Sequence, residues 1–101
     1  MKAISDYKEI NGNASSPSLK SGIGVENHYK NAVLEHMKKI EAEVVQARSM
    51  MDYISGTTLH DSVECFTDGE YFWTSEEIYH FEKYNLKLND DFIQYVLNRP
   101  E

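Results

Sequence analysis

From Asn27 to Ile54 the chain runs without a glycine or a proline, and Val33, Met37, Ile40, Val44, Ala47, Met51 and Ile54 fall alternately four and three residues apart. That spacing lays an apolar stripe along one side of an α-helix and predicts a single long helix over residues 27–54. Glu26 and Asn27 suit its start, and Ser55-Gly56 suits its stop, because glycine takes positive φ without strain. At 1.5 Å per residue such a helix is roughly 42 Å long, whereas a small domain is about 30 Å across. Either the helix breaks or one end protrudes, and its stripe either packs on the C-terminal half or pairs with a second copy as a coiled coil. In the second case positions 33, 40, 47 and 54 fill one register and 37, 44 and 51 the other, giving a homodimer through the long helix.

The remaining sequence has to supply what this helix packs against. With 101 residues, 41% hydrophobic and 27% charged, the chain suits one globular domain with a modest core. A single cysteine, Cys65, excludes an intrachain disulfide framework and a multi-cysteine zinc site, and so predicts a cytoplasmic protein. No window approaches eighteen apolar residues, and Met1 to Ile10 is polar where a signal peptide needs an apolar stretch. No membrane association is expected.

The formal net charge of −7 is unevenly spread: residues 1–25 carry +1, residues 26–54 carry −1, and residues 55–101 carry −7. The same C-terminal segment holds nine of the twelve aromatic residues, too many for a solvating acidic tail. Lysine and arginine are few and dispersed, so the counterion release that drives nucleic-acid binding has no footprint here. The acidic, aromatic half is instead suited to a basic protein.

Before the long helix, the stretch NGNASSPSLKSGIG (Asn11 to Gly24) is rich in turn formers and poor in apolar residues, which predicts a flexible N-terminal arm over residues 1–25. Ile4, Tyr7 and Ile10 could form an edge strand, though their spacing of three fits a helical turn better. After the long helix, Val63 to Trp73 reads VECFTDGEYFW, two β-prone runs around Asp68-Gly69, and predicts a hairpin over residues 62–73. A two-residue turn pairs Phe66 with Tyr71, Cys65 with Phe72 and Glu64 with Trp73. One face then carries Val63, Cys65 and Phe72, and the other Glu64, Phe66, Tyr71 and Trp73. Either the second face docks a partner, or the hairpin is sandwiched between helices.

Thr74-Ser75-Glu76-Glu77 is a capping box that opens a helix over residues 75–84, with Asn85 as a left-handed terminator. Asn89, Asp90 and Asp91 open a last helix over residues 90–98, carrying Phe92, Ile93, Val96 and Leu97 until Pro100. Leu86 and Leu88 in the link should both point inward. The expected fold class is therefore α+β: one domain over residues 26–101, with one long N-terminal helix packed on a β-hairpin and two short C-terminal helices.

Groups that could carry chemistry are incomplete. His80 shares a helix face with Glu76 or Glu77, but this is half of a carboxylate-type metal site and no second half is apparent. Cys65 sits mid-strand with no basic neighbour to activate it, and no glycine-rich phosphate loop or glycine elbow is present. The chain is read as a non-enzyme without metal or cofactor.

The runs DGEYFW and SEEIYHFEKYNLKLNDDFIQYVL, within roughly residues 66–97, resemble short uncharacterised bacterial proteins that keep an Asp-Gly turn, an aromatic-Trp strand and a Y-x(3–4)-Y-x-L-x-L-x(3)-F pattern. In size, charge and arrangement the chain is also similar to the immunity proteins of bacterial toxin systems. That resemblance implies an inhibitor or immunity-type module that masks a basic partner such as a toxin. Tyrosine and tryptophan are common interface anchors and acids accelerate encounter with cations, so Phe66, Asp68, Glu70, Tyr71 and Trp73 are the expected contacts. Glu76 and Glu77 are expected contacts too, and if the hairpin is sandwiched the interface falls instead on the acidic starts of the two C-terminal helices, at Glu76, Glu77, Asp90 and Asp91.

Overall fold

Four strands form one sheet in the order β1-β6-β5-β2, from β1 (Lys2–Ala3), β2 (Val44–Gln46), β5 (Val63–Thr67) and β6 (Tyr71–Thr74). The computed structural model describes residues 1–25 and 27–99; Glu26 and Pro100, expected near helix ends, lie outside the described residues. β1 runs parallel to β6, while β5 is antiparallel to both β6 and β2. A second, two-stranded sheet pairs β3 (Met50–Asp52) with β4 (Thr57–His60). The helices are α1 (Lys8–Asn11), α2 (Lys30–Lys38), α3 (Ser75–Tyr84) and α4 (Asp90–Leu97), with a 3-10 turn at Leu19–Gly22. The fold is α+β, but among the described residues no long N-terminal helix is present.

The helix expected over 27–54 ends at Lys38 because only the first part of its stripe finds a core. Val33 and Met37 are fully buried, whereas Val44 is 54% exposed and Ala47 is also exposed. Past Lys39 the chain gains more by extending. The β-branched pair Val44-Val45 joins β5, and Met51 and Tyr53 donate their amides to side chains of α3. A straight 42 Å helix would also outrun the molecule, whose longest extent is 37 Å. Gly56, read as the helix stop, uses its φ of 79° in the β3–β4 loop instead. The coiled-coil homodimer loses its seam with the helix.

The segment expected as an arm is built into the domain. Ile4 and Leu19 are fully buried and Tyr7 is 7% exposed, all within the central apolar cluster. A Cβ on Gly22 would run into the Tyr7 ring, so glycine is what lets the 3-10 turn close over it. The turn-rich stretch is tied down by backbone pairing to the α3–α4 link: Gly24 N to Tyr84 O at 2.8 Å, Val25 N to Asn85 O at 3.1 Å, Lys87 N to Gly22 O at 2.7 Å, and Asn89 N to Ile4 O at 2.7 Å. Leu86 and Leu88 of that link point inward, at 1% and 2% exposure. Irregular backbone pairing leaves no side-chain period to read.

The hairpin forms with its register two residues from the expected one. Thr67 faces Phe72, Phe66 faces Trp73 and Cys65 faces Thr74, so four residues, Asp68 to Tyr71, separate the innermost pair rather than two. Asp68 sets this length: its Oδ1 accepts the amides of Glu70 at 2.9 Å and Tyr71 at 2.8 Å, with Gly69 at φ 96° between them. An even shift preserves the two faces. Tyr71 and Trp73, at 2% and 0% exposure, form the inner one under Phe92 and His36, and Phe72 faces out at 44%.

Burial therefore predicts opposite costs for neighbouring aromatics. Trp73→Ala should lose about 3–5 kcal/mol of folding stability and Phe72→Ala less than about 1 kcal/mol, read from urea denaturation midpoints. Equal losses would contradict this orientation of the sheet.

Candidate functional site

The seven contact residues expected from the sequence are dispersed by the fold. Tyr71 and Trp73 are core, and Glu76 and Glu77 are buried at 0% and 3% exposure. The Asp68 side chain is turned inward onto His36, Nε2 to Oδ2 at 2.8 Å. Phe66 is half-buried and stacks on Trp73, with ring centroids 6.4 Å apart. Glu70 alone of the seven is exposed, with Lys2 Nζ 3.9 Å from its carboxylate. Asp90 and Asp91 are exposed at the start of α4, and Tyr71 donates its hydroxyl to Asp91 at 3.1 Å.

The densest group of ionisable side chains lies where α3 meets β3. Thr74 caps α3 through the capping box that its sequence predicts, which directs Glu76, Glu77 and His80 into the protein. Glu76 Oε2 accepts the Met51 amide at 2.9 Å and the Tyr53 hydroxyl at 3.0 Å. Arg48 Nη1 approaches Oε1 at 3.1 Å as an ion-pair contact, off the hydrogen-bonding direction. His80 donates from Nδ1 to the Glu76 carbonyl at 2.7 Å and accepts the Tyr53 amide at Nε2, 3.0 Å. Its ring is stacked between Tyr53 and Tyr84.

Asp52, 1% exposed, accepts the hydroxyls of Tyr79 at 2.7 Å and Tyr84 at 2.6 Å, and the amides of Ile54 and Ser55 at 2.9 Å each. Burial works against its charge, but these donors prevail and hold the carboxyl well below the usual carboxylate range. Apart from Glu76 Oε1, which meets Arg48 only as an ion pair, the polar groups named here are hydrogen-bonded to one another. Both nitrogens of His80 are used and its ring is enclosed, so it has no free position for a substrate proton. The arrangement fastens the β3–β4 hairpin to α3.

Other candidate chemistry is equally committed. Burial pushes the Cys65 thiol up, away from a reactive thiolate. Among the described residues, no group of three or more His, Cys, Asp or Glu is placed to hold a metal ion, and no helix is long and apolar enough to cross a membrane. An open depression beside α4 is lined by Asp6, Tyr7, Lys87, Asn89 and Asp90. Within it, Asp6 already accepts from Asn11 and Ser16, and Tyr7 donates to the Lys87 carbonyl.

What the sheet leaves unused is its β2 margin. β2 is an edge strand with all three residues exposed, Val44 at 54% and Val45 at 59%. Val45 pairs with the exposed Glu64 of β5, and Glu43, also exposed, lies in the bend just before β2. With Glu41 nearby and Phe66 half-buried beyond, this margin sets apolar area among carboxylates. Val44, Val45, Glu43 and Glu64 were not among the expected contacts. Their signal was the run Glu41-Ala42-Glu43-Val44-Val45, β-branched and acidic, which the apparent helical stripe absorbed. Comparison of the chain with protein-family models, curated proteins and solved structures gives no match.

Glu77 makes stability depend on pH. Burial raises its carboxyl from 4.5 to about 7, with the neighbouring Glu76 adding to the rise and the Ser5 and Thr74 contacts opposing it. The folded state holds this proton more tightly than the unfolded chain. Its contribution is complete below about pH 4.5 and is lost as the pH rises through 7. At ~1.4 kcal/mol per pH unit this amounts to a few kcal/mol. Glu77→Gln should therefore flatten the fall in urea midpoint between roughly pH 5 and pH 8; an unchanged slope would exclude Glu77 as its source.

Proposed function

We propose that the protein is a cytoplasmic protein-binding module of the inhibitor or immunity type, and that it takes a basic partner on the β2–β5 margin. The observation that supports this most is Val45, 59% exposed on an edge strand beside the carboxylates of Glu43 and Glu64. An apolar anchor ringed by acids matches a cationic surface: the anchor supplies desolvated contact, and the acids steer encounter. Glu70, exposed at the hairpin turn, and Phe66, half-buried on the Val45 side of the sheet, are the expected contacts that remain near a surface. The resemblance to immunity proteins favours a toxin as the partner class. Commitment of the buried His80, Glu76 and Asp52 to structural bonds supports a binding role over catalysis.

The test compares the wild-type chain with Glu43→Lys/Glu64→Lys as baits in a lysate of the native host. Both positions are exposed, so the fold should tolerate the change to within about 0.5 kcal/mol. A basic protein should be recovered with the wild type and depleted at least about tenfold with the charge-reversed variant, and its association rate should fall as salt rises from roughly 50 to 300 mM. Equal recovery by both baits, or an association rate indifferent to salt, would remove this reading.

A further inference from the structure

Glu77 is buried without a counter-charge. Its partners are uncharged: Oε1 accepts the Thr74 amide at 3.0 Å, and Oε2 meets the Ser5 hydroxyl. Thr74 caps the same helix, so Ser5 is the contact that ties Glu77 to another part of the chain, 72 positions away. Among the described residues no cation is paired with Glu77. Arg48 is taken up by Glu76 Oε1 at 3.1 Å, Lys2 reaches toward Glu70 at 3.9 Å, and Met1, which carries the terminal ammonium, is 79% exposed. From α2, Lys30 and Lys38 go to the far end of α3, at Glu82 and Asn85. Glu76 beside it and Asp6 next to Ser5 add only negative charge, Glu64 of β5 is exposed, and burial keeps the Cys65 thiol of β5 neutral. On the β3 side, Asp52 and His80 are bonded within their own group.

Ser5 ends a short segment that is held lightly. β1 is two residues long, and its surroundings are fixed by Lys2 N to Glu70 O at 3.0 Å and Asn89 N to Ile4 O at 2.7 Å. Of residues 1–5 only Ile4 and Ser5 are buried. Asp6 is exposed, and beyond it the chain is anchored separately, by the Tyr7 hydroxyl on the Lys87 carbonyl at 2.6 Å and by Lys87 N on Gly22 O at 2.7 Å. We propose that residues 1–5 are a proton-controlled latch, closed while Glu77 carries its proton and swinging open about Asp6, with the rest of the fold in place, once Glu77 ionises. A neutral carboxyl can lie dry against Ser5, whereas a carboxylate without a cation regains water by shedding this cover. Opening uncovers the β6 edge that β1 occupies. The proton thus decides whether the four-stranded sheet has one free edge, at β2, or two.

Linkage sets the direction and the size. The closed latch holds the Glu77 proton up to about pH 7, whereas an open latch leaves the carboxyl in water near its ordinary 4.5. The open fraction is therefore smallest below pH 4.5, rises by up to about tenfold per pH unit, and levels off above about 7. Between roughly pH 5 and pH 8 opening should increase about 10- to 100-fold. The same proton weighs on global stability, but a latch opens without unfolding, and different amides report the two.

Amide hydrogen exchange of the full chain, read by NMR from roughly pH 5 to pH 8 and corrected for intrinsic rates, tests this. Protection of the Lys2 and Asn89 amides, which bond Glu70 and Ile4, should fall about 10- to 100-fold over that range. It should stay below the protection of Phe81, within α3, throughout. Glu77→Gln places a neutral side chain of the same shape against Ser5 and should make Lys2 and Asn89 nearly indifferent to pH. Histidine is the other side chain that titrates in this window, so a pH dependence that survives Glu77→Gln would overturn the proposal. So would Lys2 and Asn89 amides as protected as that of Phe81 at pH 8, because the segment would then open only with the whole fold. If circular dichroism shows that Glu77→Gln fails to fold, Ser5→Ala decides. It should lower the protection of Lys2 and Asn89 about fivefold at pH 5 and leave Phe81 less affected, and unchanged protection there would equally overturn the latch.

Discussion

The buried polar side of α3 is the constraint on which the rest of this structure depends. Glu76 and His80 sit one helical turn apart and reach the backbone amides of Met51 and Tyr53, so a segment with a helical pattern is held extended against a helix. Asp52, between those two residues, is bonded to Tyr79 and Tyr84 of the same helix. Buried polar groups left unpaired would cost about 1–3 kcal/mol each, so residues 50–55 have one arrangement that satisfies α3 and no inexpensive alternative. That arrangement also fixes where the chain must turn back, at Gly56, into β4.

The neighbouring residue on α3 extends the same logic to the other end of the chain. Glu77 accepts the Ser5 hydroxyl, which follows β1 and precedes the buried Tyr7. One turn of helix thus gathers three segments distant in sequence: residues 5, 48–53 and 74–80. The main apolar cluster, with Trp73, Phe81 and Phe92 at its centre, lies beside this polar layer. Its packing is good enough that the Trp73 indole N–H is enclosed without a hydrogen-bond partner among the described residues. The loss of that bond, about 1–3 kcal/mol, is offset by burial of a large aromatic side chain and its contacts with Phe66, His36 and Phe92.

Local chemistry was legible in the sequence, and long-range partners were not. The Thr74–Glu77 capping box, the left-handed Asn85 and the inward Leu86 and Leu88 each follow from interactions within a few residues, and each is present. The stripe from Val33 to Ile54 misled because its four-and-three spacing is real, but its second half has no core to face, and β5 and α3 compete for the same residues. The N-terminal segment was hidden for another reason: its order comes from backbone bonds to residues 84–89, which no side-chain pattern records. The hairpin was found and its register missed, because Asp68 bonds the Glu70 and Tyr71 amides and so lengthens the loop by two residues. Of the expected contacts, the aromatic ones were sought where aromatic residues cluster, and in a chain of this size such clusters build the core first.

Burial also changes what the net charge means. The acidic character of the C-terminal half suggested a broadly negative surface, yet Glu76, Glu77 and Asp68 turn inward, joined by Asp52 from the middle of the chain. Asp52 and Asp68 are held ionised by donors inside the protein and keep their charge, whereas Glu77 is pushed toward its neutral form, so Glu77 lightens the charge that the sequence implies. The exposed acids at this margin are Glu64, which pairs with Val45, and Glu43 just before β2. A cationic partner met at that margin would be steered by these few exposed carboxylates rather than by the whole of the net charge, so its association rate should fall as salt screens them.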